Sequence, residues 1–407
     1  MDFRVILLLA AEMLFAFYLL YRAGLLDRPV PLFVSAALLT LAFGLRGMAL
    51  GYETLDYQNF LTRWVAFFRE NGGFSALKHS VGNYNIPYLY FLALFSYSGI
   101  RDLYLIKLLS IFFDVVLAWA SMCLAGLYTQ SRAARLGCFF TVLFLPTVFL
   151  NGALWGQCDG IYVSLAVLGI YLALSDRPCL SMVCAALSFG FKLQAVFILP
   201  VYAVLWMQGK FKFWHFFIFP AAYVLLVLPA VLLGRPFWET LTLYFNQADS
   251  IGSGLNYNSP SVFAIFWHVA NQEAAARFAI AAAVCLMLAV LELCLIYRRR
   301  LNDRAVLAAA VLFAVGIPFL LPHMHDRYFY PADILTVILA FSVPWAAAGA
   351  LLAQFASLLG YHAYLKMRYL LPMNRGAYAL ILSFLLAAAV FARSLWPKKT
   401  GDEEILS

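Results

Sequence analysis

The stretch "PVPLFVSAALLTLAFGLRGMALGYETLDYQNFLTRW" (residues 29–64) decides how this chain is to be read. Its first part is an apolar run long enough to cross a bilayer as a helix, which takes about 20 residues. Its second part sets Glu53, Asp56 and Arg63 close together, just past that run. Lipid offers a backbone amide no partner, so a spanning segment of this composition must be helical. Two acids and an arginine therefore stand where membrane meets water, in a chain with only 12% charged residues.

Working outward, the same apolar pattern recurs along the whole sequence. Hydrophobic residues make up 65% of the 407 and mean hydropathy is +0.86, against about 45–50% apolar residues in soluble domains. Spans read at 3–21, 30–47, 103–127, 136–153, 160–175, 179–191, 194–207, 213–233, 275–297, 304–321, 331–345, 346–361 and 376–394. The expected fold class is an all-α polytopic integral membrane protein, one unit over 1–407 with about 11–13 transmembrane helices. Segments 179–207 and 331–361 are too short for two full spans and too long for one, so each reads as a pair of short or broken helices.

With every span crossing, the N-terminus lies outside and the C-terminus inside. Lys210, Lys212 and Arg298 to Arg300 then fall in short cytoplasmic connectors, where basic residues accumulate. The longer loops 48–102, 234–274 and 322–330 lie outside, and so, against the charge trend, does "HAYLKMRYLLPMNR" (362–375). The net charge of +8 is thus a membrane signature and argues against nucleic acid as a partner. Cys123, Cys138, Cys184, Cys285 and Cys294 lie in apolar runs without disulfide or zinc spacing. No cleavable signal peptide stands out, because residues 3–21 read as a first membrane helix.

The polar residues gather in the outer loops. "YQNFLTRWVAFF" (57–68) has the spacing of an amphipathic surface helix. Asp56, at its start, is either an N-cap carboxylate favoured by the helix dipole or a base held at the interface, with Glu53 a second candidate. "FLNGALWGQCDG" (149–160) places Asn151, Gln157 and Asp159 between two apolar helices. That is a tight hairpin, or a hydrogen-bonding wall for a sugar or a diphosphate-like ligand.

Lys192, in "LSFGFKLQAVFILP" (187–200), carries a charge to membrane depth. Such a charge costs about 2.5–3.5 kcal/mol and so faces a cavity or a partner; phosphate binding and snorkelling are its two readings. "LLPHMHDRYFYPADIL" (320–335) crowds His323, His325, Asp326, Arg327, Tyr328 and Tyr330 into one loop. Metal ligation is open to His-x-His beside Asp, but cationic donors aimed at a phosphoryl group explain the cluster better. The Gly/Ser/Asn-rich loop 234–260, with Arg235 and Glu239, has the character of a lid. One carboxylate base, several phosphate ligands and broken helices open to lipid suit transfer of a sugar from a lipid phosphate.

Five motifs, in order over residues 50–335, resemble the GT-C glycosyltransferases that use polyprenyl-phosphate sugars. "LDYQNFLTRWVAFF" is similar to the Asp-bearing first luminal loop of the GPI-anchor first mannosyltransferase and of the dolichyl-phosphate-glucose glucosyltransferases. "YNIPYLYF" (84–91) looks like the Tyr/Pro segment that follows, and "KLLSIFFDVVLAW" (107–119) like the next membrane helix, Asp114 included. "FGFKLQAVFILPVY" resembles their Lys-bearing broken helix, and "HMHDRYFYP" their His-x-His-acidic loop.

The resemblance implies a GT-C fold and an inverting hexosyl transfer on the extracytoplasmic face, with Asp56 as general base. Glu53 stands three residues before Asp56, a departure that lets a second carboxylate share the work. Donor phosphate binding is expected of Lys192, His323, His325, Arg327 and Arg63, and substrate binding of Asp159, Gln157, Tyr328 and Arg235. No cofactor is expected and metal independence is implied, with a divalent cation still open. The partners implied are a polyprenyl-phosphate-linked sugar, a lipid or glycan acceptor and the bilayer. A bacterial plasma membrane is favoured over the ER by the lack of glycosylation and retention signals. Transporters and polysaccharide polymerases or ligases also show broken helices or large outer loops. Neither inverted repeats nor midplane charges are clear here, which sets the transporter reading second.

Overall fold

Helices dominate the computed structural model, which describes residues 2–244, 254–266 and 268–396. In chain order they are α1 (Phe3–Arg22), α2 (Pro29–Ala49), α3 (Thr62–Glu70), α4 (Ile86–Phe95), α5 (Asp102–Ala125) and α6 (Arg132–Phe144). A bent continuation, α7 (Pro146–Trp155), leads to α8 (Asp159–Leu174), α9 (Pro178–Phe191), α10 (Val201–Met207), α11 (Ile218–Leu232) and α12 (Phe237–Leu241). The C-terminal part holds α13 (Gln272–Ile296), α14 (Asp303–Leu320), α15 (Tyr330–Ser342), α16 (Ala347–Leu365) and α17 (Asn374–Leu395). Two short strands, β1 (Asn256–Tyr257) and β2 (Met324–His325), pair in parallel.

Seven helices among the described residues are long and apolar enough to cross a membrane, or eight when α6 and α7 count as one bent span. That is fewer than expected, because α8, α9, α10 and α15 are shorter than a bilayer is thick, and α16, at 19 residues, is long enough but is not among the helices that are also apolar enough to cross. Half-length helices survive at membrane depth when other helices, rather than lipid, surround their ends. Here α8 packs against both α5 and α9, and α15 against α14 and α16. The outward faces are apolar: on α13, Phe278, Ile280, Leu288 and Ile296 are exposed. A water-soluble protein does not leave such a stripe uncovered. The chain is an all-α polytopic integral membrane protein.

Both expected breaks are present. α9 ends at Lys192, whose backbone turns extended before a 3₁₀ turn at Leu193–Phe197 and then α10. α15 and α16 are separated by a turn that begins at Pro344. One apolar helix was not expected: α4 lies inside the first long loop, its N-terminus capped by the Asn85 side chain, which accepts from Ile86 N at 2.8 Å.

Buried charges fasten α5 to its neighbours. Arg46 of α2 reaches Asp114 of α5 at 3.1 Å and donates to the Leu143 carbonyl of α6 at 2.9 Å. Gly152 in α7 makes room for this pair, since a Cβ there would sit 2.7 Å from Asp114 Oδ2. Lys107 of α5 donates to the Ala49 and Tyr52 carbonyls at 2.9 and 2.6 Å, closing the C-terminal end of α2. Tyr57 donates to Asp102 Oδ1 at 2.9 Å, so the start of the first loop is held against α5 twice.

Segment 362–375, expected outside despite its basic residues, comprises the last turn of α16 and the turn into α17 and lies on the same side as the first loop. Tyr364 stacks on Trp155 with ring centroids 4.1 Å apart, and Tyr369 donates to Asn258 Oδ1 at 2.6 Å.

Candidate functional site

Asp56 does not cap a helix. It has helical backbone angles and makes no capping bond, while Thr54 Oγ1 accepts from Tyr57 N at 3.4 Å. The chain enters α3 through a π-helical turn at Tyr57–Leu61, a local widening frequent at functional sites. This turns the Asp56 carboxylate across to the α7–α8 hairpin. Its Oδ2 accepts from Trp155 Nε1 at 2.9 Å and from Gln157 Nε2 at 2.7 Å. Gln157 is itself oriented: its Oε1 accepts from the Tyr84 hydroxyl at 3.1 Å, and its backbone carbonyl from Ser110 at 2.9 Å. Gly156, with φ of 78°, makes the left-handed turn between the two donors, a conformation glycine adopts without steric cost.

A cavity of about 260 Å³ opens beside Asp56, lined also by Phe60, Trp64, Tyr84, Gln157, His325, Asp326, Arg327 and Tyr364. Behind it lies a buried ionic layer. Lys192 Nζ is 2.6 Å from Asp159 Oδ1, and Arg327 Nε is 3.5 Å from Asp159 Oδ2. Asn151 donates to the same Asp159 oxygen at 2.9 Å. The Arg327 guanidinium lies 5.2 Å from the Trp155 ring centroid, within cation–π range. One indole thus meets the Asp56 carboxylate through its edge N–H and the arginine through its ring.

Loop 323–328 is fixed by the β1–β2 pair. His325 stacks on Tyr257 with centroids 4.7 Å apart and packs against Tyr328 at 5.1 Å. Burial, reinforced by Arg327 and Lys192, pushes the His325 imidazole down to about 4, so near neutral pH it is an uncharged ring. Burial raises Asp326 to about 7, against the opposing pull of Arg327. A second cavity of about 320 Å³ lies along the same strands, lined by Asn256, Asn258, Phe263, Phe266, Gln272 and Tyr369 among others.

The structure sorts the expected residues into three groups. Asp56, Gln157, His325 and Arg327 meet at the first cavity. Asp159 and Lys192 form the layer behind it, where Asp159 takes up the lysine charge that a phosphate was expected to meet; Tyr328 packs on His325. The rest stand away from that lining. His323 has φ of 62° and its Nδ1 is 2.7 Å from the Gly254 carbonyl. Arg235 is buried and donates to the His79 carbonyl at 2.9 Å. Arg63 is exposed on α3. Glu53 pairs with Arg101 and accepts from Gln58 at 3.1 Å. Those partners, Arg101 first, hold its carboxyl below the usual range.

In the expected lid, residues 245–253 lie outside the described residues. Among the described residues, no group of three or more His, Cys, Asp or Glu gathers as a metal site would require. Trp155, Tyr84 and Tyr364 were not singled out from sequence. Trp155 and Tyr84 stand inside motifs already noticed, whereas Tyr364 lies in the loop whose charge ran against the topology. The chain matches no known family model and no curated protein sequence.

Proposed function

We propose that this protein is a GT-C-type glycosyltransferase moving a hexose from a polyprenyl-phosphate donor to an acceptor hydroxyl, with inversion and with Asp56 as general base. One observation carries the reading: the Asp56 carboxylate, gripped by Trp155 and Gln157, shares a cavity with Arg327. A fixed carboxylate opposite a fixed guanidinium matches what in-line transfer from a phosphodiester requires. The base takes the proton of the attacking hydroxyl, while the cation receives the charge that develops on the departing phosphate. Lipid reaches the broken helices and water the outer loops, so donor and acceptor approach from different phases. The second cavity, with its aromatic and amide lining, is suited to the acceptor. Phosphate contact falls to Arg327 in place of the larger set expected from sequence, because Lys192 is engaged by Asp159.

The test is turnover of polyprenyl-phosphate mannose, glucose and galactose by purified protein in lipid nanodiscs. Glycolipid and cell-envelope extracts serve as acceptors, with and without a divalent chelator. Consumption of one donor with inverted product supports the reading. If no donor is consumed by folded protein with acceptor present, the proposal fails and transport of a lipid-soluble anion becomes the better account.

A further inference from the structure

Asp326 lines the same cavity as Asp56, yet the reaction just described gives it nothing to do. Its side chain is almost fully buried, and its Oδ1 makes no hydrogen bond; the nearest cation, Arg327 Nη1, is 3.5 Å away. A buried carboxyl oxygen without a donor calls for a proton or a ligand. Its backbone is held beside the cavity by two neighbours. A Cβ at Gly360 of α16 would lie 2.7 Å from the Asp326 carbonyl oxygen, and the preceding Met324–His325 is paired with β1.

Two carboxylates therefore face one cavity in opposite settings. Asp56 receives two N–H donors; among the described residues Asp326 Oδ1 receives none, and only the Arg327 guanidinium stands near it, at 3.5 Å. Where paired acids differ in this way, one is placed to take a proton and the other to hold one. The ionisable groups around Asp326 are Asp56 and Tyr84 of the first loop, Asp159 of α8, Tyr364 of α16, and its neighbours His325 and Arg327.

Resting on the glycosyltransferase reading, we propose that Asp326 is a catalytic proton donor to the departing lipid phosphate. The bond from the anomeric carbon to the phosphate oxygen breaks and its electron pair stays on that oxygen, which takes the Asp326 proton. The acceptor oxygen bonds to the anomeric carbon and its proton passes to Asp56. The lipid phosphate leaves as a monoanion, and the total charge of the cavity is the same before and after. Water then returns a proton to Asp326 and removes one from Asp56. A phosphate monoester has a second pKa of about 6, close to the value near 7 to which burial lifts Asp326, so the transfer is nearly balanced.

The experiment is kcat against pH, from 5.5 to 9, for wild type, Asp326→Asn and Asp326→Glu, with prenyl-phosphate mannose, glucose and galactose as donors. Wild type is expected to lose activity about tenfold per pH unit above about pH 7. Asp326→Asn is expected to fall at least tenfold at pH 6 and to show no alkaline decline, whereas Asp326→Glu keeps the decline. A folded Asp326→Asn with wild-type kcat and the wild-type alkaline limb overturns the proposal. Should that variant not fold, absence of the limb in wild type or in Asp326→Glu overturns it. Wild type that consumes no donor removes the glycosyltransferase reading as well; an active wild type with an inert Asp56→Asn and an unaffected Asp326→Asn removes this proposal alone.

Discussion

Replacing Lys192 by methionine tests the buried ionic layer directly. The ammonium is 2.6 Å from Asp159 Oδ1, with side-chain exposures of 9% and 1%. Removing one partner of such a pair leaves the other charge buried, which costs about 3–5 kcal/mol. Arg327 stands 3.5 Å from the other oxygen of Asp159 and Asn151 donates to it at 2.9 Å, so the loss belongs at the lower end, about 3 kcal/mol. Asp159→Asn leaves the lysine unpaired and costs a similar amount. In the double variant neither member of the Lys192–Asp159 pair is stranded, and the loss of Asp159 beside Arg327 is common to it and to Asp159→Asn, so its loss should be smaller than the sum of the single losses by about 3 kcal/mol, well beyond the additivity expected of independent sites. The assay is equilibrium unfolding in mixed micelles over all four corners of the cycle. A coupling below about 0.5 kcal/mol would refute the charged pair and the two-sided grip on Asp159.

Further outcomes follow from neighbouring residues. Asp326 is raised from 3.8 to about 7 by burial, so its contribution to stability is lost as pH rises through that interval. His325 is lowered from 6.5 to about 4 by burial and the adjacent cations, so its contribution is lost as pH falls through that one. Between about pH 4 and 6.5 the folded state holds the proton on Asp326 and the unfolded state on His325, so the two slopes cancel. His325→Gln should uncover a decline with rising pH and Asp326→Asn a decline with falling pH, each about 1.4 kcal/mol per pH unit; equally flat profiles in all three proteins would contradict these environments. Gly152→Ala puts a Cβ 2.7 Å from Asp114 Oδ2, which Arg46 holds in place. Thermal melts should show about 1–3 kcal/mol of destabilisation, with reduced turnover because Trp155 is carried on the same turn. Tyr84→Phe removes the hydroxyl that orients Gln157; a net hydrogen bond of about 0.5–1.5 kcal/mol corresponds to a 2- to 12-fold fall in kcat/KM, and an unchanged value would show that Gln157 holds itself.

Much of the architecture was legible because membrane helices are long and uniformly apolar, as α1, α2, α5 and α14 are. The breaks at Lys192 and near Pro344 were legible from length, since 179–207 and 331–361 are each too long for one span and too short for two. α4 was hidden, since ten residues beginning Ile-Pro-Tyr are too few to signal a span and are capped by an asparagine that also suits a loop. At the site, residue types were readable but partners were not. Nothing in "FGFKLQ" says that Asp159, 33 positions earlier, takes the lysine. Equally, the chemistry of Arg235 is spent on the His79 carbonyl and that of Glu53 on Arg101, pairings set by tertiary approach. Tyr364 escaped notice because its loop was judged by charge, whereas its role comes from a ring stacked on Trp155.

The role proposed for Asp56, taking the acceptor proton, is decided by a steady-state comparison of wild type with Asp56→Asn. Asparagine keeps the shape of the side chain and an oxygen for Trp155 and Gln157, so the fold and the donor KM should be preserved. A positioned base contributes about 10²–10⁴-fold, so kcat with the preferred polyprenyl-phosphate hexose should drop by at least a hundredfold at unchanged donor KM. Turnover by Asp56→Asn within tenfold of wild type would contradict the assignment of the base, whatever the identity of the sugar.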